Sequence, residues 1–251
     1  MSDVLKVEGL SIAFGGLKAV DQVSMDAVRN GITTVIGPNG AGKTTLFNLI
    51  SGALKPSSGK VSIEDADVTG FDPAHLQRAG LARSFQITNL FFEMTVRENL
   101  RLAAQRLEPV SHAFRPLRRV GRAAEKVDQL LERFGVTRKE HEQVGFLSHG
   151  EQRRLEIAMC LASEPKILML DEPTQGMSHA DTEDTATMIR GLTDEVSILL
   201  IEHDIGVVMS LSDHVVVMHQ GQKLAEGTPE DVRANSAVQA AYFGLEDDVA
   251  D

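Results

Sequence analysis

Three stretches of the chain carry residue types at spacings that do chemistry. The first is GPNGAGKTT, Gly37 to Thr45, which fits the pattern G-x-x-x-x-G-K-[ST]. Gly37, Pro38, Asn39, Gly40, Ala41 and Gly42 form a loop whose glycines let the backbone curl until several N–H groups point at one anion. Lys43 adds a compact positive charge for the outer phosphates of a nucleoside triphosphate, Thr44 adds a hydroxyl for Mg2+, and Thr45 completes the motif. A helix opening at Lys43 adds its dipole to the pull on the anion. A glycine-rich turn without a ligand is the competing reading. The β-branched run TTVIG before the loop and the apolar face of Leu46, Leu49 and Ile50 after it weigh against that turn.

The second stretch is ILMLDEP, Ile167 to Pro173. An apolar strand here places Asp171 at its carboxyl end, where open α/β sheets bind ligands. Asp171 is suited to holding Mg2+, and Glu172 beside it to acting as general base for an attacking water. Alone, such a strand end reads as a solvated acidic turn; the phosphate loop changes the reading.

The third stretch is LSHGEQRRLEIA, residues 147–158. Ser148, His149 and Glu151 cannot form a catalytic triad, because triad members converge from distant parts of a fold. Ser148 and Glu151 instead make a capping box for a helix predicted over 151–163, with Leu155, Ala158, Met159 and Ala162 on its apolar face. A capped helix start is also a place where an anion can bind.

The elements that must position these groups follow from hydrophobic patterning. VLKVEGL and VSMDAV read as short strands separated by FGGLKAVD, and VSIEDADV as another. Residues 87–165 show helical periodicity in ENLRLAAQRL and AAEKVDQLLERFG and almost no strand signal. They are expected to form a helical lobe inserted into an α/β core made of residues 1–86 and 166–251. ILML, DTEDTATMIRGL, SILLIE, DIGVVMSLS and HVVVM then alternate strand and helix, which implies a parallel sheet with crossover helices. The ending LEDDVAD is expected to fray.

Composition narrows the function class. The chain has 251 residues, 42% hydrophobic and 24% charged, which suits one large globular domain. A formal charge of −11 argues against general nucleic-acid binding, and the basic run RPLRRVGRAAEK at 115–126 reads as a solvated helix face. The single cysteine, Cys160, fits a reducing compartment. Without a signal peptide or an apolar run long enough to cross a bilayer, the chain is expected to be cytoplasmic, reaching any membrane through partner chains.

In this order, the phosphate loop, LSHGEQ shortly before ILMLDEP, and His203 after SILLIE resemble the ATP-binding subunits of ABC transporters over nearly the whole chain. The resemblance implies an α/β fold: a P-loop NTPase core with a parallel sheet, an N-terminal antiparallel β subdomain and an inserted helical subdomain. It implies ATP and Mg2+ as cofactors and ATP hydrolysis coupled to transport. Phe14 resembles the aromatic that stacks on adenine, with a small core residue as the alternative. Gln86 resembles the glutamine that reaches magnesium and the water and couples the helical lobe to membrane subunits, with an ordinary loop residue as the alternative. His203 resembles the histidine that contacts the γ-phosphate, a role resting on the resemblance alone. Ser148 and Gly150 would cap ATP held by an opposing subunit in a head-to-tail pair. Two positions depart from the family pattern: His149 replaces the first glycine of LSGGQ, and QGMS, Gln175 to Ser178, replaces SALD.

ARSFQITNLFFEMTVRENL, GEQRRLEIAMCLASEPKILMLDEP, LLIEHD and EGTPEDVRANSAVQAAYFG are similar to the ATPases of branched-chain amino acid importers and of related urea and amide importers. That likeness implies transmembrane permease subunits as partners, with a second ATP-binding subunit, a periplasmic solute-binding protein acting indirectly, and no nucleic acid. It implies a peripheral place on the cytoplasmic face of the inner membrane. A lipopolysaccharide-type exporter ATPase and a soluble ABC ATPase are the alternatives.

Overall fold

The computed structural model describes residues 3–84, 90–107 and 121–243. In chain order the elements are β1 (Asp3–Phe14), β2 (Leu17–Val28), β3 (Ile32–Ile36), α1 (Lys43–Ile50), β4 (Ser58–Ile63), β5 (Ala66–Asp67), α2 (Pro73–Ala79) and β6 (Leu81–Arg83). Among the described residues three α-helices follow, α3 (Val96–Ala104), α4 (Arg122–Arg133) and α5 (His149–Leu161). The chain then alternates through β7 (Ile167–Asp171), α6 (His179–Arg190), β8 (Ser197–Ile201), α7 (Ile205–Leu211), β9 (His214–His219), β10 (Gln222–Gly227), α8 (Pro229–Ala234) and α9 (Ser236–Phe243).

Two sheets form. The smaller has the order β2-β1-β4-β5 and is antiparallel throughout. The larger has the order β10-β9-β3-β8-β7-β6; β9 through β6 run parallel and β10 closes the edge antiparallel to β9. Every residue of β3, β7 and β8 is buried, as expected of parallel strands covered on both faces. Their side chains alternate between two cores. Ile167, Met169, Leu199 and Ile201 join α1 and the antiparallel sheet, while Leu168, Leu170, Ile198 and Leu200 face the helices.

The inserted helical segment shares its core with the sheet. Val96 and Leu100 of α3, Val127 and Leu131 of α4, and Leu155 and Ala158 of α5 belong to the same buried cluster as Leu168 and Leu170. At the opposite edge α8 and α9 pack Val232, Val238 and Tyr242 against Ile36, Val215 and Val217.

Several local expectations change. FGGLKAVD is no spacer: β1 and β2 are twelve-residue strands joined at the Gly15–Gly16 turn, where Gly15 has φ +60°. VSIEDADV is a hairpin, since Glu64 and Asp65 take φ +45° and +68° and fold β5 back on β4. Helix α5 begins at His149, two residues before the expected start, because Ser148 is its cap. Strands β6 and β10 lacked a sequence signal; the first has three residues, and the second pairs only with β9 and keeps a polar, partly exposed pattern. Residues 115–120 and the LEDDVAD ending lie outside the described residues.

Candidate active site

Because β3, β8, β7 and β6 are parallel neighbours, their carboxyl ends lie along one edge of the sheet. That edge receives the phosphate loop after β3, Glu202 and His203 after β8, Asp171 and Glu172 at the end of β7, and the start of the Gln86 segment after β6. Gln86 itself lies outside the described residues.

Helix α1 starts differently from its neighbours. Its N-cap is Gly42 at φ +98°, with no side-chain cap and no acidic residue in the first turn. Helices α2, α3, α5, α6, α7 and α8 are all capped by a side chain, and α4, which starts at Gly121 without one, carries Glu125 in its first turn. The first N–H groups of α1 are thus left for an anion from outside the chain. Two glycines allow this. A Cβ on Gly42 would meet the Ala19 carbonyl oxygen at 2.4 Å, and one on Gly37 would meet that of Met218 at 2.3 Å. The loop is therefore wedged between β2 and β9 and accepts no side chain at either point.

Lys43 is folded back over the loop, its Nζ donating to the carbonyls of Gly37 (2.7 Å) and Pro38 (3.2 Å). Burial pushes its pKa down, while the carboxylates of Glu172 and then Asp171 pull it back up. The ammonium thus sits between the loop and the acidic strand end. Asn39 and Gly40 are exposed, Ala41 is buried, and Thr44 and Thr45 lie on the first turn, Thr44 exposed and Thr45 half-buried.

Asp171 is 3% exposed. Its Oδ2 accepts from Arg83 Nη2 at 3.2 Å, and the same guanidinium donates to Asn48 of α1 and to Ser51 at the C-cap of that helix, each at 2.7 Å. Arg153 of α5 reaches the Asp171 carbonyl at 2.9 Å. Arg83 and Arg153 were not singled out in the sequence; the signal available was RSFQ ending at Gln86 and the RR pair within the third motif. Among the described residues no group of three or more His, Cys, Asp or Glu converges as a metal cage. A hydroxyl and one carboxylate fit Mg2+, a hard cation that keeps most of its ligands as phosphate oxygens and water.

Glu172 has φ +45°, a left-handed conformation rarely taken by a residue with a side chain. Its amide donates to Ile201 at 3.0 Å, and its carboxylate is one-fifth exposed. His203 is 57% exposed, with Nδ1 3.8 Å from Glu172 Oε1 and 3.9 Å from Glu202 Oε2. Glu202, also not singled out, is fully buried. Phe14 is 51% exposed at the tip of the β1–β2 hairpin, opposite Leu17, so it is no core residue.

Ser148 caps α5 through a complete capping box. Its Oγ accepts from the Glu151 amide at 3.3 Å, and its own amide donates to Glu151 Oε2 at 3.0 Å. A hydrogen bond from Lys139, then burial working against it and further bonds from Ser148, leave the Glu151 carboxyl below its ordinary pKa. Gly150 faces Asp181, 3.6 Å from where its Cβ would lie. Ser178 caps α6, accepting from the Asp181 amide at 3.3 Å and donating to Asp181 Oδ2 at 2.6 Å. Among the described residues no hydrogen bond or ion pair joins Ser148 to the phosphate loop.

A phosphate loop after β3, an aspartate ending β7 and a helical insertion between β6 and β7 define a P-loop ATPase of the cassette type. Residues 20–175 match the ABC transporter family, and residues 222–248 match a branched-chain amino acid ATP-binding cassette transporter family. The chain belongs to the ABC transporter family, as an ATP-hydrolysing cassette.

It is 42% identical to the high-affinity branched-chain amino acid transport ATP-binding protein BraF of Pseudomonas aeruginosa, over 96% of this chain and 98% of that one. It is equally 42% identical to LivG of Escherichia coli K12, with the same shares covered. The crystal structure of the ADP conformation of an ABC transporter cassette superposes with a TM-score of 0.85 at 32% identity, covering 97% of this chain and 100% of that one. A nucleotide-free cassette superposes with a TM-score of 0.84 at 32% identity, over 96% and 99%. Among the described residues no helix is long and apolar enough to cross a membrane.

Proposed function

We propose that the chain powers the uptake of branched-chain amino acids, or of a related small polar solute, as a peripheral subunit on the cytoplasmic face of the cell membrane. What supports this most is the 42% identity, across almost the whole length of both chains, to proteins named for branched-chain amino acid transport. Its partners are two permease chains and a second ATP-binding subunit, with a periplasmic solute-binding protein acting through the permeases. Residues 87–165 work as the helical unit between the core segments 1–86 and 166–251, and Gln86 links that unit to the permeases.

In the reaction, the amides of Gly37–Thr45 and the Lys43 ammonium hold the β- and γ-phosphates, and Phe14 stacks on adenine. Thr44, Asp171 and Gln86 would hold Mg2+, which would supply positive charge against that developing on the phosphates. Glu172 takes the proton of the water that attacks the γ-phosphate in line. His203 donates to the γ-phosphate, and Lys43 steadies the same charge. Ser148 and Gly150 meet the γ-phosphate held by the opposing cassette. The amides now engaged in the α5 capping box are then shared with that ligand as the pair closes.

The test is reconstitution of the chain with its co-encoded permeases and binding protein in proteoliposomes, scoring ATP-driven uptake of leucine, isoleucine and valine. Uptake that needs Glu172 and internal ATP is expected. ATP hydrolysis without accumulation of any of the three would overturn the branched-chain reading and leave the related small polar solute.

A further inference from the structure

Among the described residues one carboxylate is completely buried, at the reacting edge of the sheet. Glu202 is 0% exposed, and a carboxylate is costly to enclose unless its oxygens meet donors. Both do. Oε1 accepts from the Thr174 amide at 3.2 Å and from its hydroxyl at 2.6 Å. Oε2 accepts from the His203 amide at 3.2 Å and lies 3.9 Å from His203 Nδ1.

These contacts join two loops that leave neighbouring strands. Thr174 lies two residues after Glu172, and His203 follows Glu202 directly. Glu172 is held at φ +45°, a strained backbone that persists only where its surroundings over-determine it. On one side its amide is bound to Ile201 at 3.0 Å. On the other, the chain is anchored at Thr174 by Glu202. The same carboxylate therefore fixes the turn that aims Glu172 and the amide that sets the start of the His203 loop.

We infer that Glu202 is a positioning residue for hydrolysis: through Thr174 and the His203 amide it holds the Glu172 and His203 side chains in one geometry. The inference rests on the assignment of Glu172 as base and of His203 to the γ-phosphate. Charge and shape are both needed. A glutamine at 202 can turn its carbonyl to Thr174, but its NH2 group then faces the His203 amide, donor against donor. A serine at 174 keeps the hydroxyl donor, whereas a valine keeps the shape and loses it.

The experiment compares Glu202→Gln, Thr174→Val, Thr174→Ser, the Glu202→Gln/Thr174→Val pair and Glu172→Gln in the whole chain. Steady-state kcat, KM for ATP and the thermal midpoint are read for each. Glu202→Gln and Thr174→Val are expected to lower kcat at least about tenfold, the scale of small misplacements of reacting groups, with KM and the midpoint near parental. Thr174→Ser is expected to recover most of the loss, and the pair to lose far less than the product of its members. Parental kcat in both Glu202→Gln and Thr174→Val, with Glu172→Gln inactive, overturns the positioning role. A midpoint that falls in step with kcat in Thr174→Val overturns it too, by making the contact purely structural. Full turnover in Glu172→Gln removes the base assignment instead, a separate failure.

Discussion

Nδ1 of His203 lies 3.8 Å from Oε1 of Glu172, although 31 positions separate them in the chain. Parallel pairing of β7 with β8, Asp171 opposite Ile201, puts Glu172 one residue and His203 two residues past the sheet edge. At that distance one water or one phosphate oxygen can contact both groups. With the roles proposed for them, a base on one side and a donor on the other, this is the arrangement that in-line hydrolysis needs.

Glu172→Gln is accordingly expected to bind ATP with near-parental affinity and to lose about 10²- to 10⁴-fold in kcat, the range for removal of a general base. Calorimetric titration with ATP and a phosphate-release assay check the two halves. Light scattering with and without ATP and Mg2+ shows whether the trapped state pairs with its own copy; persistent monomer with ATP bound points to a different ATPase chain as partner.

Ser148 has two expected roles that separate by substitution. Ser148→Ala removes the α5 cap and should cost about 1 kcal/mol of stability, read from urea unfolding at pH 7. The capping box also depends on ionised Glu151, whose pKa is lowered in the fold. Its contribution is present above the ordinary carboxylate value and is lost as pH falls through the lowered folded value, so the gap between parent and variant should narrow in acid. Ser148→Arg should abolish ATP-dependent pairing. Intact pairing in that variant would falsify the contact with the opposing phosphate.

Arg83→Met leaves Asp171 buried without the cation on its Oδ2. Both side chains are largely enclosed, 10% and 4% exposed, so the expected loss is about 3–5 kcal/mol. Adding Asp171→Asn should recover part of it, because the uncompensated charge is then gone. A loss of less than about 1 kcal/mol in urea unfolding would place the pair among contacts of little consequence.

Cys160 is half-buried on the wall of a groove between α2, β6 and α5. Desolvation, with Glu156 adding to it, pushes the thiol from 9.0 up to about 12. Near pH 8 the native chain then carries less thiolate than the unfolded one, so iodoacetamide should label it more slowly. Because the folded value is raised, the stabilising contribution is whole below pH 9.0 and is lost as pH rises toward about 12. Cys160→Ala should therefore flatten the alkaline fall in stability.

What could be read from the sequence alone is what local chemistry dictates. The phosphate loop is nine consecutive residues whose glycines, lysine and hydroxyl carry their own rationale. The Ser148–Glu151 box spans four consecutive residues, and strands such as β7 and β8 announce themselves by apolar runs. The family order of these motifs then implied the fold, and both structural and sequence relatives agree with it. The tertiary structure decided whatever depends on residues far apart in the chain. Arg83 reaches Asp171 across 88 positions and Glu202 reaches Thr174 across 28, because strand order brings β6, β7 and β8 side by side. No periodicity encodes that order. Edge strands β6 and β10 were equally invisible, since a short or half-exposed strand needs no apolar pattern once a neighbour supplies its hydrogen bonds. Burial made the final difference: only in the fold does the glutamate of LLIEH prove to be enclosed and fully partnered while the histidine beside it stays open to solvent.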